Sequence, residues 1–187
     1  MNLLFEKARL LQEFCDRQGW RYCFIGGIAV QRWGEPRVTR DVDLTLLTGF
    51  AHEQPFVSAL LAEFSPRRPD AAAFALRNRV LLLKTKDEIG IDVSLGALPF
   101  EESAVERASD FTFPPGIVLR TCSAEDLVVL KVFASRAIDI RDAEGVVLRN
   151  YKTLEWRYIE EQLTPLAELK EEPELLATLA RLKKLRP

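Results

Sequence analysis

Apolar and polar positions along the chain separate into two rhythms. Leu3, Leu4, Ala8, Leu11, Phe14 and Cys15 recur at helical spacing and stop at Gly19, predicting an amphipathic first helix. Residues 21–25 (RYCFI) read as a short buried strand broken at Gly26-Gly27, and residues 28–33 (IAVQRW) as a short helix ended by Gly34 and Pro36. In residues 41–47 (DVDLTLL), Val42, Leu44 and Leu46 alternate with Asp41, Asp43 and Thr45, the two-residue period of a half-buried strand. A helix over 55–64 follows, then a Pro- and Arg-containing loop and an Ala-rich stretch. Residues 79–85 and 89–95 read as two strands joined by the polar turn Lys86-Asp87-Glu88, a hairpin in which Ile91 and Val93 face opposite to Asp92 and Ser94.

Residues 99–108 read as a helix, and residues 111–121 as extended segments interrupted by Pro114-Pro115-Gly116. Ser123 is a serine cap with Glu125 and Asp126 behind it, ahead of an apolar helix over 127–136. Further helices are expected over 141–150, 154–163 and 173–185. Strands thus concentrate before about residue 121 and helices after it. The expected organisation is an α/β catalytic part, 1–121, followed by a helical C-terminal part, 122–187.

Composition narrows the chemistry. With 26 basic against 28 acidic residues in 187, a net charge of −2 and a pI near 5.6, the chain has no basic coat for nucleic acid, so any RNA contact is a local patch. Glu6, Lys7 and Arg9 interrupt the start where a secretory signal needs an unbroken apolar core, and no membrane-length stretch follows. The expectation is a soluble cytoplasmic protein. Cys15, Cys23 and Cys122 are odd in number and scattered, which argues against a disulfide framework or thiolate metal site and for buried small hydrophobes. The one histidine, His52, cannot build a His-rich zinc site and reads as a solvent-facing residue near a helix start. Chemistry therefore falls to carboxylates, lysine, arginine and backbone.

Asp41 and Asp43 lie two apart on a strand, so both carboxylates project from one face and can hold a divalent cation between them. Oxygen-only ligands favour magnesium or manganese. Asp92, on another strand between apolar neighbours, can supply a third carboxylate, for a second metal and for a proton from an attacking hydroxyl. Each feature alone also fits a solvated strand face. Gly26-Gly27, between a strand and a helix, lets backbone amides approach a phosphate, although a tight turn needs the same residues. Lys131 interrupts the apolar run VVLKVFA, where an ammonium needs either an anion or a path to solvent.

Taken jointly, FIGGIAVQRWGEPRVTRDVDLTLL resembles the signature of the polymerase-beta-like nucleotidyltransferases, a hydrophobic-Gly-Gly followed about a dozen residues later by D-x-D. The same run, then Asp92, then EDLVVLKVFASRAIDIRDAEGVV, resembles the abortive-infection and type IV toxin–antitoxin branch, over roughly residues 22 to 148. The resemblance implies a mixed sheet flanked by helices and transfer of a nucleotidyl group from a nucleoside triphosphate, releasing pyrophosphate. It implies that Asp41, Asp43 and Asp92 are catalytic metal ligands for Mg2+ or Mn2+, Asp92 also activating the acceptor hydroxyl. Gly26, Gly27, Arg40 and Lys131 then form the nucleotide-binding set. Arg40, and Arg37 with it, would compensate negative charge when no metal is bound. Arg136, Asp139 and Asp142 continue the pattern, either near the chemistry or as a structural ion-pair network.

D-V-D-L-T also fits the D-x-D-x-T of haloacid-dehalogenase phosphatases, but the polar Val38-Thr39-Arg40 stands where that fold needs a hydrophobic strand, and the Gly-Gly goes unexplained. A D-x-D glycosyltransferase would be short at this length. The acceptor is not written in the sequence: the toxin branch points to tRNA or protein and to a cognate antitoxin. An antibiotic-modifying transferase acting on a small molecule, or a catalytically degenerate binding module, are the alternatives.

Overall fold

In the computed structural model, which describes residues 2–186, the alternation at 41–47 becomes the strand at the centre of the sheet. In chain order the elements are α1 (Asn2–Arg17), β1 (Tyr22–Phe24), α2 (Gly26–Trp33), β2 (Asp41–Leu47), α3 (Glu53–Glu63), β3 (Ser65–Pro66), α4 (Ala71–Asn78), β4 (Val80–Lys84) and β5 (Gly90–Gly96). There follow α5 (Pro99–Glu106), β6 (Ser109–Phe113), β7 (Ile117–Thr121), α6 (Ala124–Ala134), α7 (Ala137–Asn150), α8 (Trp156–Lys170) and α9 (Glu174–Leu182). The strands form one mixed seven-stranded sheet in the order β3-β4-β5-β2-β1-β7-β6. β2 runs parallel to β5 and antiparallel to β1, and the expected hairpin of β4 and β5 is present.

The chain divides into two compact units. One takes residues up to Ile28 with Val38–Cys122 and contains the sheet; the other takes Ala29–Arg37 with the residues from Ser123 onward. In the sheet unit, Val42, Leu44, Leu46, Ile91, Val93 and Leu95 turn to one side. There they join Leu11 and Phe14 of α1, Val57 and Leu60 of α3 and Ala75 of α4 in a single core. Burial of that face removes apolar area worth about 25 cal/mol per Å2 and pins the register, since a one-residue slip would turn the aspartates into the core. The opposite face carries Asp41 and Asp43 at one end, while α5 packs on β1 and β2. Cys15, Cys23 and Cys122 are all buried and none forms a disulfide, and burial raises the Cys15 thiol to about 12.

Among the elements that depart from the sequence reading, three are marked by left-handed residues. Gly26 and Gly27 form the first turn of α2 instead of breaking the chain before it, because the left-handed Gly26 (φ +54°) turns β1 directly into helix. The Ala-rich stretch is a helix, α4, closed by left-handed Arg79. Helix α7 starts at Ala137, four residues before position 141, because left-handed Ser135 ends α6 and reverses the chain at once.

In the helical unit α6 packs on α7, α8 and α9. Ser123 caps α6, its Oγ accepting from the Asp126 amide at 3.1 Å, and the buried Asp126 carboxylate accepts from Tyr158 Oη at 2.6 Å. Leu127, Val128, Val129 and Val132 are fully buried, which explains the apolar run around Lys131.

Candidate active site

The register of the central strands brings the aspartates together. Asp43 on β2 is the direct partner of Asp92 on β5, and Asp41 is the partner of Gly90. Side chains two apart on a strand share a face, and so do register partners in neighbouring strands. Asp41, Asp43 and Asp92 therefore all rise from the face opposite Val42, Leu44, Ile91 and Val93, which are fully buried and hold both strands rigidly beneath them. All three aspartates are half-buried.

Glycine at three surrounding positions follows from close approach. A Cβ at Gly26 would run into the Asp43 side chain, lying 2.8 Å from its Cβ, and Gly26 is also left-handed. A Cβ at Gly27 would strike Thr39, and one at Gly90 would strike the Asp41 carboxylate. The turn from β1 into α2 is thereby pressed against β2: Ile25 N donates to Asp43 O at 3.0 Å, and Gly27 N lies 3.4 Å from Asp43 Oδ2. The N-terminus of α2, with its partial positive charge, faces the Asp43 carboxylate through the Gly27 amide.

A residue that the sequence reading passed over completes this arrangement. Arg67, in the loop between β3 and α4, forms an ion pair with Asp92. Its amide donates to Leu82 O at 3.0 Å, and Leu82 is the register partner of Asp92, so Arg67 extends the β3 ladder by one position and reaches across β4. Nothing local marks Arg67 in a sequence of 26 basic residues; only the long-range pairing of β3, β4 and β5 places it. Arg40, immediately before the aspartates, is exposed. Arg37 instead belongs to the helical unit, where its guanidinium is bidentate on Asp142, 2.8 Å for each bond.

Hard oxygen donors on one rigid face are the donor set that suits magnesium or manganese. As the side chains lie, no three His, Cys, Asp or Glu among the described residues converge as a cation cage. The backbones of Asp41, Asp43 and Asp92 are in place; the Asp92 carboxylate is turned to Arg67.

Lys131 lies in the helical unit, 6% exposed, and neither snorkels to solvent nor stands alone. Its Nζ contacts Asp139 Oδ1 at 2.8 Å and Asp142 Oδ2 at 2.7 Å, one turn apart on α7. Arg136 also pairs with Asp139. Burial pushes both carboxyls upward, but hydrogen bonds and charge from Arg136 and Lys131 on Asp139, and from Arg37 and Lys131 on Asp142, overcome it and hold both below the usual carboxylate range. The R…D-x-x-D pattern is thus an ion-pair network built around one buried ammonium. His52 is exposed before α3, as its sequence context suggested.

Among the described residues, no helix is long and apolar enough to cross a membrane. The fold is similar to two solved structures. An antigenic nucleotidyltransferase-like protein from Paracoccidioides brasiliensis superposes with a TM-score of 0.51 at 16% identity, covering 95% of this chain and 92% of that one. The antibiotic-resistance factor ANT(2'')-Ia, studied in solution, superposes with a TM-score of 0.56 at 15% identity, covering 92% of this chain and 95% of that one. At such identities the likeness establishes the nucleotidyltransferase fold. No curated protein matches by sequence. The family model described as nucleotidyl transferase AbiEii toxin, type IV toxin–antitoxin system, matches residues 9–144, and by that match the chain belongs to this family of nucleotidyltransferases.

Proposed function

We propose that the protein transfers a nucleoside monophosphate from a nucleoside triphosphate to a hydroxyl of tRNA or protein, in a metal-dependent reaction, as the toxin partner of a cognate antitoxin. The observation that carries the reading is the pairing of Asp43 with Asp92 on one face of the sheet, with Asp41 beside them and the α2 N-terminus packed against Asp43. Membership of the toxin family supports the antitoxin and favours a macromolecular acceptor.

Asp41, Asp43 and Asp92 are the residues to hold Mg2+ or Mn2+, which when bound neutralises phosphate charge and lowers the pKa of an attacking hydroxyl. Asp92 accepts the acceptor's proton as its oxygen bonds to the α-phosphorus. The bond from that phosphorus to the β-bridging oxygen breaks, and pyrophosphate leaves. Gly26 and Gly27 present backbone amides to the triphosphate without a side chain between. Lys131, whose ammonium is held by Asp139 and Asp142, is the lysine assigned to nucleotide binding in this reading. Arg40, exposed beside Asp41, adds a positive charge at the nucleotide's approach.

Calorimetric titration of each nucleoside triphosphate, with magnesium and with chelator, tests this against Asp43→Ala. Magnesium-dependent binding that the variant loses identifies the donor base. A radiolabel-transfer screen over tRNA, protein and aminoglycoside-like acceptors then identifies the acceptor class. No binding of any triphosphate would mark a degenerate binding module.

A further inference from the structure

We infer that Arg67 is a built-in counter-cation of the carboxylate site, competing with the divalent ion for Asp92 and setting the metal concentration at which the site loads. The inference rests on the metal-site reading above and adds to it a residue whose charge regulates that site.

The placement of Arg67 follows from the ladder. Ser65 pairs with Lys84 and Pro66 with Leu83, and the Arg67 amide then bonds to Leu82 O. Leu82 pairs with Asp92 and Asp92 with Asp43, so four positions form one row across the sheet: Arg67, Leu82, Asp92, Asp43. Arg67 and Asp92 are separated by two strand spacings, about 10 Å between backbones, a span that an extended arginine meeting an aspartate closes. Leu82 lies between them with only a half-buried isobutyl group to cross.

The guanidinium also neighbours the second carboxylate. A Cβ at Gly90 would lie 3.3 Å from Arg67 Nη1 and against the Asp41 carboxylate, so the absent side chain leaves a space that Arg67 and Asp41 share. One monovalent cation therefore sits on Asp92 and beside Asp41, two of the three carboxylates, and Asp92 cannot turn to its neighbours while it is paired with Arg67. Arg67 and Asp92 are each about one-third exposed at their side chains, so the pair is weak enough to exchange against an ion yet costs the ion some affinity. Arginine stays charged across the accessible pH range, making the competitor permanent.

Mn2+ alone, titrated by calorimetry without nucleotide, tests the competition. Arg67→Gln should bind Mn2+ roughly three- to tenfold more tightly than wild type, the size expected for removing a unit charge from a half-exposed cation site. Arg67→Lys, which keeps the charge, should stay within about twofold of wild type. In an Asp92→Asn background the gain from Arg67→Gln should vanish. Equal Mn2+ affinity in wild type and Arg67→Gln overturns the competition and leaves the metal site standing. The same tightening in Arg67→Lys overturns charge as its cause. Absence of Mn2+ binding in every protein overturns the metal-site reading and the inference with it. Circular dichroism of each variant separates these outcomes from misfolding.

Discussion

Asp43 and Asp92 are direct register partners in a parallel strand pair, their side chains rising from one face of the sheet with no intervening residue. Like charges so placed are destabilising unless a cation joins them, and the fold keeps them there with fully buried neighbours on the reverse face. Arg67 offsets the charge of Asp92, and the Gly27 amide approaches that of Asp43.

Replacing either acid by its amide should separate the two. Asp43→Asn and Asp92→Asn keep the shape of the side chain and remove one charge, so transfer activity should drop by on the order of a thousandfold or more. The thermal midpoint should stay within about 3 °C of wild type, since only a half-exposed pair is lost. Parallel measurement of nucleotide transfer and thermal unfolding checks this; a variant that unfolds broadly would make these residues structural.

Much of this arrangement was legible in the chain, and the boundary of legibility is physical. The two-residue period of 41–47 reveals a strand with Asp41 and Asp43 on one face, because a strand writes its facing into local sequence. That β2 pairs with β5, and that Arg67 reaches Asp92 across β4, depends on which distant strands meet, and no local period encodes it. Lys131 is an intermediate case. A lone lysine in an apolar run needs either an anion or a path to solvent, and Asp139 and Asp142 stand nearby in sequence. Their joint grip on it follows only from the reversal at Ser135.

Gly26 and Gly19 offer a matched pair of substitutions. Both are left-handed, at φ +54° and +67°, so alanine carries the same backbone penalty of about 1 kcal/mol at each. At Gly19 a Cβ meets nothing within 4 Å, whereas at Gly26 it meets the Asp43 side chain. Gly19→Ala should therefore lose only that stability and keep its activity. Gly26→Ala should lose more stability and most of its triphosphate affinity, because Asp43 must shift. Urea unfolding and nucleotide titration on both variants check this, and equal behaviour of the two would remove the collision as a cause.

Lys131→Met separates a structural contribution from a chemical one. Methionine fills similar volume but leaves the buried Asp139 to Arg136 and the buried Asp142 to Arg37. Breaking one side of a buried pair typically costs 3–5 kcal/mol; about 3 kcal/mol is expected here because those arginines remain. The pH dependence gives the sign. In wild type both carboxyls are held below their ordinary value, so their contribution is complete above about pH 4 and is lost as pH falls through their depressed folded values. Without the ammonium those folded values rise toward and past the unfolded one. The acid-labile contribution shrinks, and the stability gap between variant and wild type should narrow as pH drops below about 4. Urea unfolding at pH 7, 5 and 3.5 measures that gap. A gap independent of pH would mean that the lysine acts through packing of its aliphatic stem.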